Sequence, residues 1–490
     1  MKLERIIENI GATEVRGSAE IEIASICSDS RKVAEGSLFI AVKGLATDGH
    51  GYIASAIEKG AAAIVFEDEI AAMEQVAKAG KEGITLVKVG NARHAEAIIA
   101  ANFYDNPSHK LTLVGITGTN GKTTTVTLLY NLFMGLGYNC GLLSTIANYV
   151  GTRMSETANT TADPITINSL MAEMVDAGCQ YCFMEVSSIG MEQERVSGLR
   201  FKVGIFSNLT HDHLDYHKTF AEYLRCKKLF FDQLPEDAYA VTNIDDRNGM
   251  VMVQNTRAKV VTYSCRSIAD HSARIMEESF DGMQLRIDGK ETWTKLIGQH
   301  NAYNLLAIYT AAVLVGATQE EALIALSRLD SAKGRLETIK APNGVTVVID
   351  YAHTPDAMDN VLRTLRDIAP CNPLVCLFGC GGDRDRTKRP EMAKVAEKYA
   401  DRIFVTSDNS RTENTEDILA EIRTGFSAQG LAKSLFIADR KEAIRTAIML
   451  AQPGSAILLA GKGHETYQII GKEYRHFDER EVVAEVISSL

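Results

Sequence analysis

Residues 115–125 read Gly-Ile-Thr-Gly-Thr-Asn-Gly-Lys-Thr-Thr-Thr and directly follow the apolar run Leu111–Val114. This order predicts a strand, a glycine-rich turn and a helix over Thr124–Phe133, an arrangement that binds nucleotide phosphates. Glycine lets backbone N–H groups approach a phosphate closely, and the helix directs its positive end at it. Lys122 would reach the terminal phosphates and Thr123 would hold a magnesium ion. The alternative is a glycine-rich turn with a chance Lys-Thr pair.

The composition narrows the class of protein. The chain has 490 residues and a formal net charge of −11, and 46% of its residues are hydrophobic. This length suggests about three domains, and the negative charge argues against a nucleic-acid partner. Nine cysteines without regular spacing do not form a disulfide framework, and we expect Cys179 and Cys182 to be buried thiols rather than metal ligands. No apolar run reaches membrane length and no signal-peptide core is present, so we expect a cytoplasmic protein.

Strands alternate with helices along the whole chain, which predicts an α/β fold with mostly parallel sheets. The turn Asn106-Pro107-Ser108 interrupts the pattern just before the phosphate loop. We therefore expect three domains. They are a small N-terminal α/β domain at 1–108, a central P-loop-type domain at 109–335 that includes a polar β-like segment at 273–297, and a C-terminal Rossmann-like domain at 336–490.

Polar residues come directly after six of the predicted strands. In parallel sheets, ligands bind beyond the carboxyl ends of the strands. One such cluster alone would be a solvated loop, but six together indicate a site. The clusters are Glu185-Val186-Ser187-Ser188 after Tyr181–Met184, Ser207 to His217 after Val203–Phe206, Asp350 to Asp356 after Val345–Ile349, Gly379 to Asp385 after Leu374–Phe378, Thr406 to Arg411 after Ile403–Val405, and Gly461 to Glu465 after Ala456–Ala460.

Several of these residues suit a metal ion. Glu185, Asp212, His213 and Thr123 offer oxygen and imidazole ligands for Mg²⁺ that bridges phosphates. A zinc site built from the three histidines of residues 211–217 is the alternative, although no cysteine or second cluster accompanies them.

Two lysines and two arginines need separate interpretation. The segment Tyr223–Leu234 predicts a helix, and its apolar stripe places either Lys227 or Lys228 beside the buried face without saying which. Arg384 and Arg411 offer planar forks for carboxylates or phosphates, and a surface ion pair is the alternative for each.

Together, these motifs resemble those of the Mur ligases, the ATP-dependent amide synthetases of peptidoglycan precursors. The resemblance covers essentially the whole chain, and the motifs occur in family order. They are Asp29-Ser30-Arg31, Gly44 with Asp48-Gly49-His50, Thr117-Gly118-Thr119-Asn120-Gly121-Lys122-Thr123, Glu185-Val186-Ser187-Ser188, Asp212-His213-Leu214-Asp215-Tyr216-His217, Asp350-Tyr351-Ala352-His353-Thr354-Pro355-Asp356 and Gly461-Lys462-Gly463-His464-Glu465.

The resemblance implies a cytoplasmic, monomeric ligase of cell-wall synthesis that joins diaminopimelate to the D-glutamate of UDP-N-acetylmuramoyl-L-alanyl-D-glutamate, using ATP and two Mg²⁺ ions. It implies catalytic roles for Lys122, Glu185, His213 and Lys227. It implies metal ligation by Thr123, Glu185, His213 and Lys227, the last as a carbamate. The implied ATP contacts are Gly118, Thr119, Asn120, Gly121, Lys122, Thr123, Thr124, Asn304, Arg335 and Asp350. The implied UDP-muramoyl-peptide contacts are Ser30, Asn159, Thr160, Thr161, Ser187, Gln193 and Arg195. The implied amino-acid contacts are Arg384, Asp408, Asn409, Ser410, Arg411, Gly461 and Glu465.

Three residues depart from the family pattern. Ile189 and His211 stand where the family usually has histidine and arginine, and Ser410 stands where the diaminopimelate enzymes have proline. Losing the proline loosens the turn that presents Arg411, yet the charge for a second carboxylate is kept. Diaminopimelate is therefore favoured, with its stereochemistry open. The alternatives are lysine as the added residue, a folate-type or other Mur-type ligase, and a P-loop ATPase that switches conformation for a partner protein.

Overall fold

A computed structural model describes residues 1–44, 47–157, 159–210 and 214–489 of the chain. Contacts divide the chain into two compact units, Met1–Ser272 with Ala307–Ala322, and Ala273–Leu306 with Leu323–Leu490. Among the described residues, no helix combines the length and the hydropathy needed to span a membrane.

The first unit begins with a five-stranded sheet in the order β1-β5-β4-β3-β2. Its strands are parallel except β1, which runs antiparallel to β5. Short 3-10 helices lie at Gly49–Tyr52 and Pro107–His109. The other elements are α1 (Leu3–Ile6), β1 (Ala12–Arg16), β2 (Ser25–Cys27), β3 (Ser37–Ile40), α2 (Ile53–Glu58), β4 (Ala61–Phe66), α3 (Glu69–Ala79), β5 (Thr85–Val89) and α4 (Ala92–Phe103).

The second sheet of this unit contains the phosphate loop. Its strands β12, β11, β6, β10 and β7 are parallel neighbours in that order, and β8 and β9 extend it as antiparallel strands. The elements are β6 (Thr112–Thr117), α5 (Lys122–Gly135), β7 (Cys140–Leu143), β8 (Asn148–Val150), β9 (Arg153–Ser155), α6 (Pro164–Asp176), β10 (Tyr181–Glu185), α7 (Ser188–Glu192), β11 (Val203–Phe206), α8 (Leu214–His217), α9 (Phe220–Asp232), β12 (Tyr239–Asn243), α10 (Gly249–Met252) and β13 (Lys259–Ser264).

The second unit contains an antiparallel meander and a six-stranded sheet in the order β17-β18-β22-β19-β20-β21. The remaining elements of the chain are β14 (His271–Ser279), β15 (Gly282–Ile287), β16 (Lys290–Thr294), α11 (Gln299–Leu314), α12 (Gln319–Arg328), β17 (Glu337–Lys340), β18 (Thr346–Asp350), α13 (Pro355–Ile368), β19 (Leu374–Phe378), α14 (Lys388–Tyr399), β20 (Arg402–Val405), α15 (Thr415–Arg423), α16 (Ala428–Ala432), β21 (Ser434–Phe436), α17 (Arg440–Met449), β22 (Ala456–Ala460), β23 (Tyr467–Ile470), β24 (Glu473–His476) and α18 (Glu479–Ser488).

The predicted α/β class is confirmed. Strands β6, β10 and β22 are apolar and almost entirely buried because helices cover both faces of a parallel sheet. Their carboxyl ends therefore meet at one edge of each sheet, where the polar clusters follow. The polar segment at 273–297 forms the antiparallel meander β14-β15-β16. The domain limits at 108 and 335 remain a prediction, since contacts place the first 272 residues in one unit.

Candidate active site

The phosphate loop joins β6 to α5 through two glycines in the left-handed region. Gly121 has φ 88° and lies at the start of α5, and Gly118 has φ 149°. A side chain at Gly118 would collide with Ser207, whose Oγ lies 2.0 Å from the position of the missing Cβ. Glycine is therefore required here both by the backbone conformation and by the close approach of the next loop.

The loop after β11 fixes the shape of the phosphate loop. The Asn208 carbonyl accepts from Thr119 N at 2.8 Å, and Asn208 Oδ1 accepts from Asn120 N at 3.0 Å. Ser207 Oγ donates to the Asn120 carbonyl at 2.7 Å. Asn208 thus accepts from two N–H groups of the loop, whereas the N–H groups in the first turn of α5 have no carbonyl partner within the helix and suit a phosphate. In the sequence, Asn208 belongs to a polar cluster without an individual role, since only its spatial neighbours reveal one.

Two lysines converge on the phosphate loop. Lys122 Nζ donates to the carbonyls of Gly118 and Thr119, each at 2.9 Å. Lys227 Nζ donates to the same Gly118 carbonyl at 2.7 Å, and it lies 4.7 Å from the centroid of the Tyr223 ring.

The fold decides which lysine of α9 is buried. Lys227 lies on the buried face of α9 between Tyr223 and Phe230, and only 1% of its surface is exposed. Lys228 instead pairs with Asp232 at 2.6 Å, one helical turn further along. The sequence left open which of the two lysines is buried, and the structure shows that Lys227 is the buried lysine that contacts the phosphate loop.

Glu185 ends β10 and lies opposite Ile116 of the phosphate-loop strand. Its side chain is fully buried. Oε1 accepts from Thr145 N at 2.8 Å, whereas Oε2 has no hydrogen-bond partner among the described residues. A buried carboxylate oxygen without a hydrogen-bond donor is suited to bind a cation. Thr123, whose side chain is buried, lies in the first turn of α5, which follows the adjacent strand β6. These two residues are compatible with the predicted magnesium site.

The remaining predicted metal ligand, His213, lies outside the described residues, as do His211 and Asp212. His217 is buried and its Nε2 hydrogen-bonds Ser188 Oγ at 2.9 Å. Within the ranges that the structure describes, no group of three His, Cys, Asp or Glu side chains is placed to hold a metal ion. The zinc interpretation therefore gains no support from the described part of the chain.

A cavity of about 700 Å³ lies in the first unit. It brings Ser30, predicted to contact the UDP end, together with Gln193 and Arg195, predicted to contact the sugar-peptide. Arg195 is fixed by two hydrogen bonds to Gln193 Oε1, at 2.7 and 3.1 Å. The cavity is lined by Ser28, Asp29, Ser30, Arg31, Val42, Gly44, Thr47, Gly49, Tyr52, Arg93, Glu96, Asp163, Pro164, Gln193 and Arg195.

Glu96 is a buried acid of this cavity wall that the sequence did not single out. Burial raises its pKa to about 7, and the Asp163 carboxylate acts in the same direction. Ser28, Arg195 and Arg93 oppose this shift. Glu96 occupies a position on the inner face of α4 among alanines, and helical periodicity alone predicts an apolar residue there.

The predicted sugar-peptide residues near Glu185 form one hydrogen-bonded group. Thr161 Oγ1 donates to the Glu185 carbonyl at 2.9 Å and accepts from Ser187 N at 3.0 Å. Thr160 Oγ1 accepts from Thr145 Oγ1 at 3.1 Å. The Asn159 carbonyl accepts from the Thr157 hydroxyl at 2.8 Å. The Ser187 hydroxyl caps α7, so its lone pairs are partly used within the protein.

In the second unit, Arg335 lies over an aromatic ring. Its guanidinium is 5.0 Å from the Tyr351 ring centroid, and the His464 ring lies tilted against Tyr351 with 4.8 Å between the ring centroids. Arg335 Nε and His464 Nδ1 are buried without a hydrogen-bond partner in the described ranges. Burial, with Arg335 nearby, lowers the pKa of His464 to about 4, so this imidazole is neutral at pH 7.

The other two predicted nucleotide residues of this unit are also buried. Asp350 ends β18 and accepts from Leu336 N and Ala352 N, each at 2.8 Å. Burial raises its pKa above the ordinary value of an aspartate. Asn304 Nδ2 donates to Asn301 Oδ1 at 3.1 Å on α11. The Asp350–Leu336 hydrogen bond fixes the backbone next to Arg335.

The predicted amino-acid residues Asp408, Asn409 and Glu465 come together around Lys462. Lys462 Nζ lies 3.0 Å from Glu465 Oε2, 3.1 Å from Asn409 Oδ1 and 3.7 Å from Asp408 Oδ1. Gly461 has φ 116°, and a Cβ there would lie 2.7 Å from Asp408 Oδ2. The glycine therefore lets the strand end pack directly against the carboxylate.

Arg384 and Arg411 approach the same glycine from two loops. A Cβ on Gly381 would lie 3.0 Å from Arg411 Nη1 and 3.7 Å from Arg384 Cγ. Arg411 Nη1 donates to the Gly382 carbonyl at 2.8 Å, while its Nε and Nη2 have no partner in the described part of the chain. Arg411 adopts φ 49°, which is strained for a residue with a side chain. Ser410 is buried beside it.

Two fully buried arginines support these loops, and the sequence analysis assigned neither of them. Arg440 pairs with Glu479 at 2.7 Å and donates to the carbonyls of Ser407 and Ala460, at 3.0 and 2.8 Å. Arg389 pairs with Glu413 and Glu421 and donates to the Gly381 carbonyl at 3.3 Å. Each guanidinium thus fixes the backbone next to a predicted amino-acid contact.

Three family models match the chain. They are the Mur ligase family catalytic domain at residues 22–104, the Mur ligase middle domain at 116–312, and the Mur ligase glutamate ligase domain at 334–463. Among curated proteins, the chain is 50% identical over 489 residues to the UDP-N-acetylmuramoyl-L-alanyl-D-glutamate 2,6-diaminopimelate ligase of Bacteroides thetaiotaomicron, covering 100% of both chains. The chain belongs to the Mur ligase family. A relative of the same name in Cytophaga hutchinsonii is 48% identical over 490 residues, again with 100% of both chains covered.

Solved structures agree with this assignment. A structure of a UDP-N-acetylmuramoyl-L-alanyl-D-glutamate 2,6-diaminopimelate ligase superposes with a TM-score of 0.73 at 30% identity, covering 100% of this Mur ligase and 99% of that chain. A MurF ligase from Thermotoga maritima in complex with ADP gives a TM-score of 0.62 at 18% identity, with 95% and 96% covered. At that identity the second likeness supports the fold alone.

Proposed function

We propose that this Mur ligase adds diaminopimelate to the D-glutamate of UDP-N-acetylmuramoyl-L-alanyl-D-glutamate, with ATP as the energy source. Five full-length relatives at 48–50% identity carry the name of that ligase. The observation that carries the assignment is the group of predicted amino-acid residues that the second unit brings together, Arg384, Asp408, Asn409, Arg411 and Glu465, hereafter the pocket of the second unit. There, Arg411 keeps two nitrogens without a partner in the described chain, and Glu465 and Asp408 lie next to the same loops.

The phosphate loop would activate the substrate carboxylate. The N–H groups at the start of α5 and the Lys122 ammonium would bind the phosphates of ATP, and the D-glutamate side chain would attack the γ-phosphorus. The products of this step are ADP and an acyl phosphate. Arg335 would supply a second positive charge, since its Nε has no partner in the described ranges.

Thr123 and Glu185 are the described residues that would hold magnesium, together with phosphate oxygens. When bound, magnesium offsets the repulsion between the phosphates and the attacking carboxylate. Glu185 suits this role because its Oε2 is buried without a donor among the described residues. His213, a proposed ligand of the second ion, lies outside those residues.

Lys227 would act as a carbamate in this proposal. The ammonium would first lose one proton, and the resulting amine would add to CO₂ with release of a second proton, which replaces a positive charge by a negative one beside the phosphate loop. Burial favours this change, because a buried ammonium is costly and a carbamate can ligate a cation. The contact between Lys227 Nζ and the Gly118 carbonyl supports this role, because Gly118 belongs to the phosphate loop.

The pocket of the second unit would then present the attacking amine. Arg411 and Arg384 would bind the carboxylate of one end of diaminopimelate, and Glu465 and Asp408 would bind its ammonium group. The amine at the other end, once deprotonated, attacks the acyl phosphate carbon through a tetrahedral intermediate. Phosphate leaves and the amide forms.

The 700 Å³ cavity of the first unit would hold the UDP-muramoyl part of the substrate. Ser30, Gln193 and Arg195 line it, and Arg195 and Arg93 bring positive charge that suits a diphosphate. The single chain would act as the catalytic unit in the cytoplasm.

The test is a turnover assay with ATP, UDP-N-acetylmuramoyl-L-alanyl-D-glutamate and one amino acid from a panel of meso-diaminopimelate, LL-diaminopimelate, lysine and ornithine. We expect ADP release and a product heavier by one diaminopimelate residue. ATP hydrolysis that ignores both substrates would instead support a conformational ATPase. Turnover with a folate substrate would support a folate-type ligase, and equal use of lysine would remove the assignment of Arg411.

A further inference from the structure

Lys462 is a lysine without any exposed surface in the pocket of the second unit. It follows β22 between two glycines, in a segment where no helical or strand periodicity predicts burial. Its ammonium contacts Glu465, Asn409 and Asp408 at 3.0, 3.1 and 3.7 Å. The interpretation of the pocket given above assigns it no role.

We propose that Lys462 is a positioning residue that orients the Glu465 carboxylate and sets the net charge of the amino-acid pocket. This inference rests on the proposed function, since it concerns the pocket for the incoming amino acid. Lys462 itself does not contact the amino acid in this account.

The first argument is geometric. Lys462 Nζ and Asn409 Nδ2 both bind Glu465 Oε2, at 3.0 and 2.9 Å. Asn409 is fixed in turn, because its Oδ1 accepts from Lys462 and from Ile469 N, at 3.1 and 2.9 Å. In the described part of the chain, Oε1 of Glu465 takes no hydrogen bond. One carboxylate oxygen is thus clamped, and the other is left for a ligand ammonium group.

The second argument concerns charge. Asp408 and Glu465 bring two negative charges to a site where both side chains are mostly buried, and the Lys462 ammonium offsets one of them. Burial by itself would raise the pKa of Asp408, but Lys462 and Arg440 together hold that pKa below its ordinary value. One excess negative charge remains, which suits an amino acid that brings one ammonium group to this side of the pocket.

The experiment compares Lys462→Met, Glu465→Gln and the double variant with wild-type enzyme. KM is measured for diaminopimelate, ATP and the UDP-dipeptide separately, and Tm is recorded. Lys433→Met is the matched control, because Lys433 Nζ is partly buried in the same unit and, among the described residues, donates only to the carbonyls of Glu397 and Ala400. If Lys462→Met does not fold, Lys462→Gln, which keeps a donor without the charge, replaces it.

We expect Lys462→Met to raise KM for diaminopimelate at least about tenfold, with KM for ATP and the UDP-dipeptide changed less than about twofold. In the Glu465→Gln background, the same substitution should change KM for diaminopimelate less than about threefold, because Lys462 acts through Glu465. Lys433→Met should leave all three KM values unchanged.

Three results would overturn the proposal. They are an unchanged KM for diaminopimelate, an equal rise in all three KM values, and effects of the two substitutions that simply multiply. The last two would indicate a purely structural lysine. Failure of the proposed function is recognised separately, because wild-type enzyme would then not use diaminopimelate at all.

Discussion

Two buried lysines, Lys227 in the first unit and Lys462 in the second, lie in different surroundings. Lys227 contacts a backbone carbonyl of the phosphate loop and the face of Tyr223. Lys462 lies against two carboxylates and an amide. The same side chain therefore has two different roles, as a group proposed for conversion to a carboxylate and as a permanent counter-ion.

The difference separates the two halves of the reaction. In the proposed function, the region around Lys227 handles phosphates, where added negative charge is useful only with a cation present. The region around Lys462 is proposed to bind a zwitterionic amino acid, for which opposite charges must lie a few ångströms apart. Substitutions in the first region should prevent carboxylate activation, and those in the second should change which amino acid is accepted.

The largest effect is expected for Lys122→Ala. Removing the point charge over the transferring phosphoryl group should lower kcat at least about 1000-fold, with Tm nearly unchanged. Steady-state ADP release with all substrates measures this. Lys110→Ala is the control, because Lys110 forms an exposed pair with Asp105 just before β6. Activity of the Lys122 variant near that of the control would remove the nucleotide site from the phosphate loop.

Lys227→Ala should lower kcat at least about 100-fold, and a short carboxylate such as acetate should restore part of the activity. The reason is that the variant lacks the carboxylate that the carbamate would provide. Lys228→Ala, at the adjacent position whose partly buried ammonium pairs with Asp232, should remain active without acetate. An unmodified Lys227 amine in a crystal structure obtained with CO₂ and nucleotide present would contradict the carbamate.

Wild-type enzyme should prefer diaminopimelate over lysine by about 100-fold in kcat/KM. With lysine, the Arg411 fork would stay unpaired in the pocket, and a lost carboxylate partner costs more than a missing neutral contact. Arg411→Ala should remove most of the preference by reducing turnover of diaminopimelate, with little change in KM for ATP.

Ser410→Pro serves as the companion variant to Arg411→Ala. Among the described residues the Ser410 N–H makes no hydrogen bond, so proline should stiffen the turn and change the preference only modestly. A large loss of diaminopimelate turnover in Ser410→Pro, together with full activity of Arg411→Ala, would place the specificity elsewhere in the loop.

A third buried ionisable group, the Glu96 carboxyl, is expected to have the smallest effect, on stability rather than on activity. Its pKa is raised from 4.5 to about 7 in the folded chain, so the folded state keeps a proton that the unfolded state loses. The free energy of unfolding should therefore fall as pH rises from about 4.5 to about 7, and stay low above that. Glu96→Gln should remove this dependence and be more stable than wild type by about 2 kcal/mol at pH 8. The free energy of unfolding of both proteins is measured in urea at pH 5 and pH 8. The same stability difference between Glu96→Gln and wild type at the two pH values would contradict the raised pKa of Glu96.

Much of the fold could be predicted from the sequence. Strand β19 (Leu374–Phe378) has the predicted limits because its apolar run is bounded by the turn residues Pro373 and Gly379. The strand predicted as Leu111–Val114 extends to Thr117, and the strand predicted as Val345–Ile349 extends to Asp350. Those limits depend on pairing with strands distant in sequence.

The site was less accessible to sequence reasoning. The sequence motif identifies the loop that contains Lys462, but it does not predict that Lys462 is buried. That burial depends on Asp408 and Asn409, which lie more than 50 residues away in the sequence, and on Glu465 across the turn. Likewise, Asn208 gains its role only because β11 lies beside β6. Lys227 and Lys228 are equivalent to a periodic pattern, and the packing of Tyr223 and Phe230 into the core decides between them. Long-range pairing supplies what local patterns leave open.

The central proposal is that the region around the phosphate loop activates the carboxylate and the region around Lys462 binds the amino acid. Trapping the activated carboxylate tests this proposal most directly. Enzyme, ATP and UDP-N-acetylmuramoyl-L-alanyl-D-glutamate are incubated with hydroxylamine and no amino acid, and the hydroxamate is measured by mass spectrometry. We predict comparable hydroxamate formation by wild type, Arg411→Ala and Lys462→Met, and none by Lys122→Ala. Loss of the hydroxamate in the two pocket variants, or its persistence in Lys122→Ala, would contradict the account.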